Sequence, residues 1–325
     1  MKAIKLVGTG IALPSRVVTN AELETTVDTS DEWIRERTGI AERRIADPSV
    51  ATSDLCAEAV RAACENADLD PSALDGLIVA TSTTDTLFPS TACWVQHKLG
   101  IKGMPALDVS AGCSGFLYGL ELATALVAGG MRRIAVVGGE VMSKVVNWRD
   151  RGTCVLFGDG AGAAIVTPGD GRSGVIASNW GADGNLAPIL YQPAGGSRMP
   201  ATHETVEASA HTVHMEGNTV FKHAVVAMSS AAVQAMKDAD VTADDVTLMV
   251  PHQANMRIME AARERCGIPR EKMYSVLHKY GNMSAATIPV ALHEARTEGR
   301  IHDGDIIVTT AFGTGFTWAA SVLRW

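Results

Sequence analysis

The sequence predicts a layered α/β fold built from two similar halves around a shared helical core. Three observations predict it. Strand-like and helix-like stretches alternate along the whole chain. Phe157-Gly-x-Gly is echoed by Phe312-Gly-x-Gly, each followed by small residues and a β-branched run. A helix and strand ending in Ile134-Ala-Val-Val match a second pair ending in Ile306-Ile-Val. The glycine motifs lie 155 residues apart and the strands 172, so the first half carries 17 additional residues within 138–154. The halves divide as 1-172 and 173-325.

In the first half, residues 3–11 read as a strand ending in glycines, and Thr19-Asn20 caps a short helix. Asp31 to Arg37 is a second short helix, and 38–45 an exposed basic loop or strand. Helical spacing runs over 53–67 and 89–99, with a strand at 74–82 between them. Leu107-Asp-Val-Ser leads through a small-residue turn into an apolar helix beginning at Cys113. A strand over 133–139 follows, then a looser charged stretch and the run 155–166. In the second half, strands are expected at 175–178, 246–250, 272–276 and 305–310, with a further run through 322. Helices are expected at 219–240, 255–266 and 284–297. Residues 183–215, rich in Gly, Pro and His, read as a long connection or lid.

A chain of 325 residues with 46% hydrophobic content can bury a large core. Its net charge of −8 argues against a general nucleic-acid binder. Six scattered cysteines, with no C-x-x-C pair, give neither a zinc site nor a disulfide framework. The first 13 residues lack a signal-peptide pattern, and the helix after Cys113 is interrupted by Glu121, so no membrane span is expected. The expected compartment is the reducing cytoplasm.

Cys113 sits where a strand turns into a helix, between Gly112 and Gly115. Unpaired N–H groups at a helix start favour a thiolate, and the glycines leave room for a substrate. The plainer alternative is a small core residue, since free cysteine is often buried. His252, in Val-Pro-His-Gln-Ala-Asn, and Asn282, in Tyr-Gly-Asn-Met-Ser, lie just past strand ends, where open sheets bind ligands. A structural histidine and a turn asparagine are the plainer readings there. The duplication pairs the helix at Cys113 with that at Ser284, which would bring Cys113 near the Asn282 loop.

The residues resemble a known family. Ala111-Gly-Cys-Ser-Gly-Phe, Phe157-Gly-Asp-Gly-Ala-Gly-Ala, Pro251-His-Gln-Ala-Asn, Gly281-Asn-Met-Ser-Ala-Ala and Phe312-Gly-Thr-Gly-Phe-Thr-Trp are similar to β-ketoacyl-acyl carrier protein synthase III, of the thiolase fold. So is Asp28-Thr-Ser-Asp-Glu-Trp-Ile-Arg-Glu-Arg-Thr-Gly-Ile. The resemblance spans nearly the whole chain in order and spacing. It implies a five-layered αβαβα sandwich of two βαβαβαββ halves.

It also implies a catalytic Cys113–His252–Asn282 triad. A short acyl-CoA would acylate Cys113; malonyl on acyl carrier protein would then lose CO₂, and its enolate would attack the acyl group. Oxyanion N–H donors would come from Cys113 and Thr314. Thr314 departs from the family's usual glycine, which bears on the loop's shape. Trp33 and Arg151 would sandwich adenine, Arg37 and Thr29 would meet phosphates, Asn255 the pantetheine, and Phe312 would wall and gate the site. Phe88, reaching from a partner subunit, and Met142 would bound the acyl pocket. Lys222, Arg257, Arg263 and Arg265 would form a patch for an acidic carrier protein. A homodimer is implied, with no cofactor beyond the two thioester substrates.

Other chemistries fit less of the pattern. A cysteine hydrolase would discharge the acyl group to water. A degradative thiolase needs a second cysteine in the loop that here reads Phe-Gly-Thr-Gly, and chain-elongating synthases use two histidines. A synthase priming a specialised polyketide pathway, an acyltransferase using the same triad and a non-catalytic acyl-CoA-binding module are the remaining alternatives.

Overall fold

The computed structural model describes residues 4–169, 171 and 173–325. The first sheet contains β1 (Ile4–Ala12), β2 (Gly76–Ala80), β3 (Ala106–Val109), β4 (Ile134–Val141) and β5 (Asp159–Pro168), in the order β1-β5-β4-β2-β3. The second contains β6 (Gly174–Ala182), β7 (Leu248–Pro251), β8 (Ile306–Gly313) and β9 (Thr317–Arg324), in the order β6-β9-β8-β7. The two repeat one another. In each, the first three strands across pair antiparallel and the next joins in parallel. The counterpart of β3 is reduced to a single parallel bridge, Met249 to Met273, so the strand expected at 272–276 does not form. A one-turn 3₁₀ helix at Arg270–Lys272 occupies its approach instead.

The main helices are α1 (Asp31–Thr38), α2 (Thr52–Asn66), α3 (Thr91–Leu99), α4 (Gly115–Ala128), α5 (Gly217–Asp238), α6 (Met256–Arg265) and α7 (Thr287–Thr297). Strand alternation explains the layering, because successive side chains leave opposite faces of a sheet. Ile78, Val136 and Ala164 face α4 and α7, whereas Leu77, Val79, Val137 and Ile165 face α2 and α3. In the second sheet, Val250, Ile307 and Leu323 turn inward, while Met249, Val308 and Val322 turn outward onto α5. The result is helices, sheet, central helices α4 and α7, sheet, helices. Small residues let the middle layers approach closely: a Cβ on Gly138 would lie 2.1 Å from the Ala285 carbonyl oxygen.

The additional residues of the first half fall between β4 and β5, where the second half has only a tight turn from Gly313 to Thr317. Residues 38–45 differ from the exposed stretch expected. Arg43, within the strand Glu42–Arg44, is completely buried. Its guanidinium donates to the carbonyls of Val18 and Val155 and to Asn20 Oδ1, holding the added loop to the N-terminal segment. Burial lowers its pKa only to about 10, so it stays charged at neutral pH. Residues 183–215 are ordered by a 3₁₀ segment, a short helix at His203–Glu207 and a two-residue ladder joining Leu190–Tyr191 to His214–Met215. No helix among the described residues is long and apolar enough to cross a membrane.

Candidate active site

Cys113 lies in a 3₁₀ turn, Gly112–Ser114, and the α-helix proper begins two residues later at Gly115. The turn depends on Gly112. Its φ is +53°, and a Cβ there would sit 2.4 Å from the Thr314 backbone nitrogen. A Cβ on Gly313 would be 2.6 Å from the Cys113 nitrogen, so the β8–β9 turn lies directly over the cysteine. Thr314 fits without left-handed strain; the positive φ of this loop falls on Gly315, at +134°. The Thr317 hydroxyl donates to the Ala111 carbonyl at 2.8 Å and further ties the two turns.

The sulfur is only slightly accessible, with Cys113 8% exposed. Burial pushes its thiol up to about 12, against a lowering hydrogen bond from Ser284, with Glu140 adding to the rise and Cys113's own backbone N–H opposing it. The resting group is therefore a neutral thiol. The expected thiolate preference of a helix start does not prevail, because loss of water outweighs it. Glu140, itself buried, accepts hydrogen bonds from the Ser82 and Thr83 backbones and from the Thr83 hydroxyl at 2.6 Å, fixing the turn beside the site.

His252 follows β7 and is completely buried. Its Nδ1 is 2.6 Å from the Thr287 hydroxyl, which is also 3.0 Å from the Ser284 carbonyl oxygen. Its Nε2 is buried with no hydrogen-bond partner. Burial lowers its pKa to about 3, so the ring is neutral at physiological pH. The Phe312 ring meets it edge-on at 5.6 Å and stacks on Phe316. Asn282 accepts the Ser284 N–H through Oδ1 at 2.8 Å, which leaves its amide nitrogen as the group presented to the cavity. Its backbone is anchored to the added loop through Leu156 and Gly158.

Two cavities meet at Cys113. One, of about 370 Å³, runs between Trp33, Arg37, Phe221, Asn255, Arg257, Asn282 and Phe312. The other, of about 320 Å³, is bounded by Met142, Val145, Phe157, Leu190, Val213 and Ser284. Of the cavity walls, Leu190 and Val213 come from the unpatterned segment 183–215; no periodicity marked them. No motif assigns a role to Ser284, Thr287 or Glu140, although Ser284 opens the turn that follows Asn282 and Thr287 begins the helix after it.

The remaining expected residues divide. The Arg151 guanidinium lies over the Trp33 ring at 4.8 Å, and Arg151 also donates to the Asp28 carbonyl. Asn255 caps α6 by accepting from Arg257 N and donates to the Arg37 carbonyl, so its side chain is occupied at the cavity edge. The Thr29 hydroxyl is buried without a partner and lies outside the cavity wall. Lys222, Arg257 and Arg265 are exposed. Arg263 is drawn inward onto Glu260 and the Ile268 carbonyl, which removes it from a surface patch. Phe88 is 84% exposed and reaches neither cavity within this chain. Among the described residues, no cluster of three or more His, Cys, Asp or Glu side chains is arranged to hold a metal.

Two duplicated halves, back-to-back central helices and a cysteine at their junction define a thiolase-fold acyltransferase. Family profiles described as 3-oxoacyl-[acyl-carrier-protein] synthase III match residues 107–184 and, for its C-terminal part, 236–325. A β-ketoacyl-[acyl-carrier-protein] synthase III of Caldanaerobacter subterraneus subsp. tengcongensis is 55% identical, covering 99% of this chain and 98% of that one. The crystal structure of 3-oxoacyl-[acyl-carrier-protein] synthase III from Aquifex aeolicus is 44% identical, with a TM-score of 0.92 over 99% of this chain and 100% of that one. Its counterpart from Thermus thermophilus is also 44% identical, with a TM-score of 0.91 and 99% of both chains covered. The chain belongs to the β-ketoacyl-acyl carrier protein synthase III family.

Proposed function

We propose that this protein condenses a short acyl-CoA with malonyl-acyl carrier protein, releasing CO₂ and CoA and yielding the 3-ketoacyl-acyl carrier protein that begins fatty acid synthesis. The observation that carries the reading is the meeting of two cavities at one cysteine, with an asparagine in the wall of one and a neutral histidine packed edge-on against the Phe312 ring that lines it.

In the first stage, the Cys113 sulfur attacks the thioester carbonyl and the C–S bond to CoA breaks. The proton of the thiol ends on the departing CoA sulfur. N–H groups of Cys113 and Thr314 hold the tetrahedral oxyanion, with the α4 N-terminus favouring the negative charge. In the second stage, the malonyl C–C bond breaks, and its electron pair moves through the enolate onto the thioester oxygen. His252 and Asn282 donate to that oxygen. The enolate carbon then attacks the acyl group, and the released Cys113 thiolate takes a proton from water. Neutral donors suit this step, since no proton has to move to stabilise the enolate.

The larger cavity fits the CoA arm, with Trp33 and Arg151 gripping adenine and Arg37 meeting phosphate. Their present contact has to open to admit a base. Asn255 meets the pantetheine at the cavity edge; Thr29, shut away from the cavity, drops out of this assignment. The smaller cavity takes the acyl chain, with Met142 in its wall. Exposed Phe88 and Leu87, together with the edge strand β3, support a homodimer in which Phe88 completes the partner's pocket. Lys222, Arg257 and Arg265 form the face offered to an acidic carrier protein. Six free cysteines fit a reducing cytoplasm.

Intact mass spectrometry after incubation with a panel of acyl-CoAs, then with malonyl-acyl carrier protein, tests the reading. Adducts that require Cys113 and then discharge with release of 3-ketoacyl product support it and name the preferred starter. Adducts discharged by water alone would overturn the condensing step, and absence of any adduct would overturn the covalent mechanism.

A further inference from the structure

We infer that Thr287 is a positioning residue that fixes His252 in the tautomer carrying its proton on Nε2, so that the histidine is a ready-made donor to the enolate. This role rests on the condensing reaction proposed above.

The hydroxyl of Thr287 has one proton and two acceptors in reach, His252 Nδ1 at 2.6 Å and the Ser284 carbonyl at 3.0 Å. A neutral imidazole carries one proton, on one nitrogen. If the hydroxyl donates to Ser284, Nδ1 must bear the ring proton, and Nε2 is left as a bare lone pair. That lone pair would repel an enolate oxygen. If the hydroxyl donates to Nδ1, the ring proton sits on Nε2. The 2.6 Å contact allows either state; the stronger acceptor, an imidazole nitrogen, favours the second, and so does a reaction that needs a donor at Nε2. The buried, unpartnered Nε2 is then an N–H waiting for an acceptor, and a group of this kind calls for an explanation when buried.

The geometry around Thr287 is built for this task. It is fully buried as the first residue of α7, and the turn before it carries Ser284 at a φ of +47°. No carboxylate is hydrogen-bonded to His252 to orient it, so among the described residues the hydroxyl is the one side chain bonded to the ring. Asn282 is fixed by the same turn through the Ser284 N–H. One short segment thus orients both donors to the enolate.

The test combines a spectroscopic reading with separated half-reactions. In two-bond ¹H–¹⁵N spectra of ¹⁵N-histidine-labelled protein, His252, assigned by its loss in His252→Asn, is expected as the Nε2–H form. Thr287→Val, similar in shape but lacking the hydroxyl, is expected to lose that preference. It should slow release of CO₂ from malonyl-acyl carrier protein about 10–100-fold while changing the rate of Cys113 acylation less than about threefold. Thr287→Ser should restore both the spectrum and decarboxylation. An Nδ1–H signal in the unaltered protein would overturn the inference. So would an equal slowing of both half-reactions in Thr287→Val, the mark of a merely structural role, or failure of Thr287→Ser to rescue. If the unaltered protein releases no CO₂ at all, the condensing reaction fails instead, and the spectra still decide what Thr287 does.

Discussion

The two strand-to-helix corners at the centre of the molecule share a backbone and differ in chemistry. One runs through Gly112–Ser114 into α4, the other through Ser284–Ala286 into α7, and each is a 3₁₀ turn entered at a left-handed residue, Gly112 or Ser284. In the first corner the left-handed position is glycine, so the turn over β8–β9 can close onto the cysteine. In the second it is serine, which accepts strain of about 1–2 kcal/mol to place a hydroxyl beside the sulfur. Duplication supplied one scaffold twice. One corner carries the cysteine; the other carries the Ser284 and Thr287 hydroxyls, which bond to the Cys113 thiol and to His252.

Substitutions sharpen this division, from the largest expected effect downward. Cys113→Ala should abolish the acyl adduct in intact mass spectra, whereas Ala285→Cys, at the equivalent place in the second corner, should restore none of it. Gly112→Ala should slow acylation about 100-fold and cost about 1–3 kcal/mol in denaturant unfolding, since the new Cβ strikes the Thr314 backbone. Ser284→Gly should separate stability from function. Relief of the left-handed strain should stabilise the fold by about 1 kcal/mol, while loss of the hydroxyl should slow acylation about tenfold.

Thr314→Gly probes the loop above the first corner. Thr314 already has an ordinary conformation there, so steady-state rates should stay within about twofold and stability fall by less than about 1 kcal/mol.

The pH dependence gives a separate check. The His252 pKa is lowered to about 3 and that of Cys113 raised to about 12, so neither group titrates between pH 5 and 8. The single-turnover rate of acylation should be flat across that range, and a limb near 6.5 would show that the ring is not buried as described. Stability behaves differently. An unfolded His252 takes up a proton near pH 6.5 that the folded one refuses until about 3, so acidification through this window favours unfolding.

Much of this was legible in the chain. The small residues around Cys113, the paired Phe-Gly-x-Gly turns and the apolar strand runs report close backbone approach and burial on both faces, which composition records directly. The start of α4 was not legible, because a 3₁₀ turn and an α-turn make similar demands on sequence. The strand expected at 272–276 carries the β-compatible side chains of Met273, Tyr274 and Val276 but lacks a paired neighbour beyond Met249, a tertiary matter. Arg43 looked exposed because arginine usually is; three oxygen acceptors from distant segments made its burial tolerable. The cavity wall from Leu190 and Val213 depended on how an unpatterned segment folds back, and no local signal carries that.

A cysteine that rests protonated and nearly closed off is also chemically durable. Oxidation by peroxide proceeds through the thiolate and follows exposure, and both are scarce at Cys113 before substrate arrives. Peroxide treatment of the substrate-free protein should therefore leave Cys113 free of sulfenic acid, which intact mass spectrometry after trapping of that acid would check.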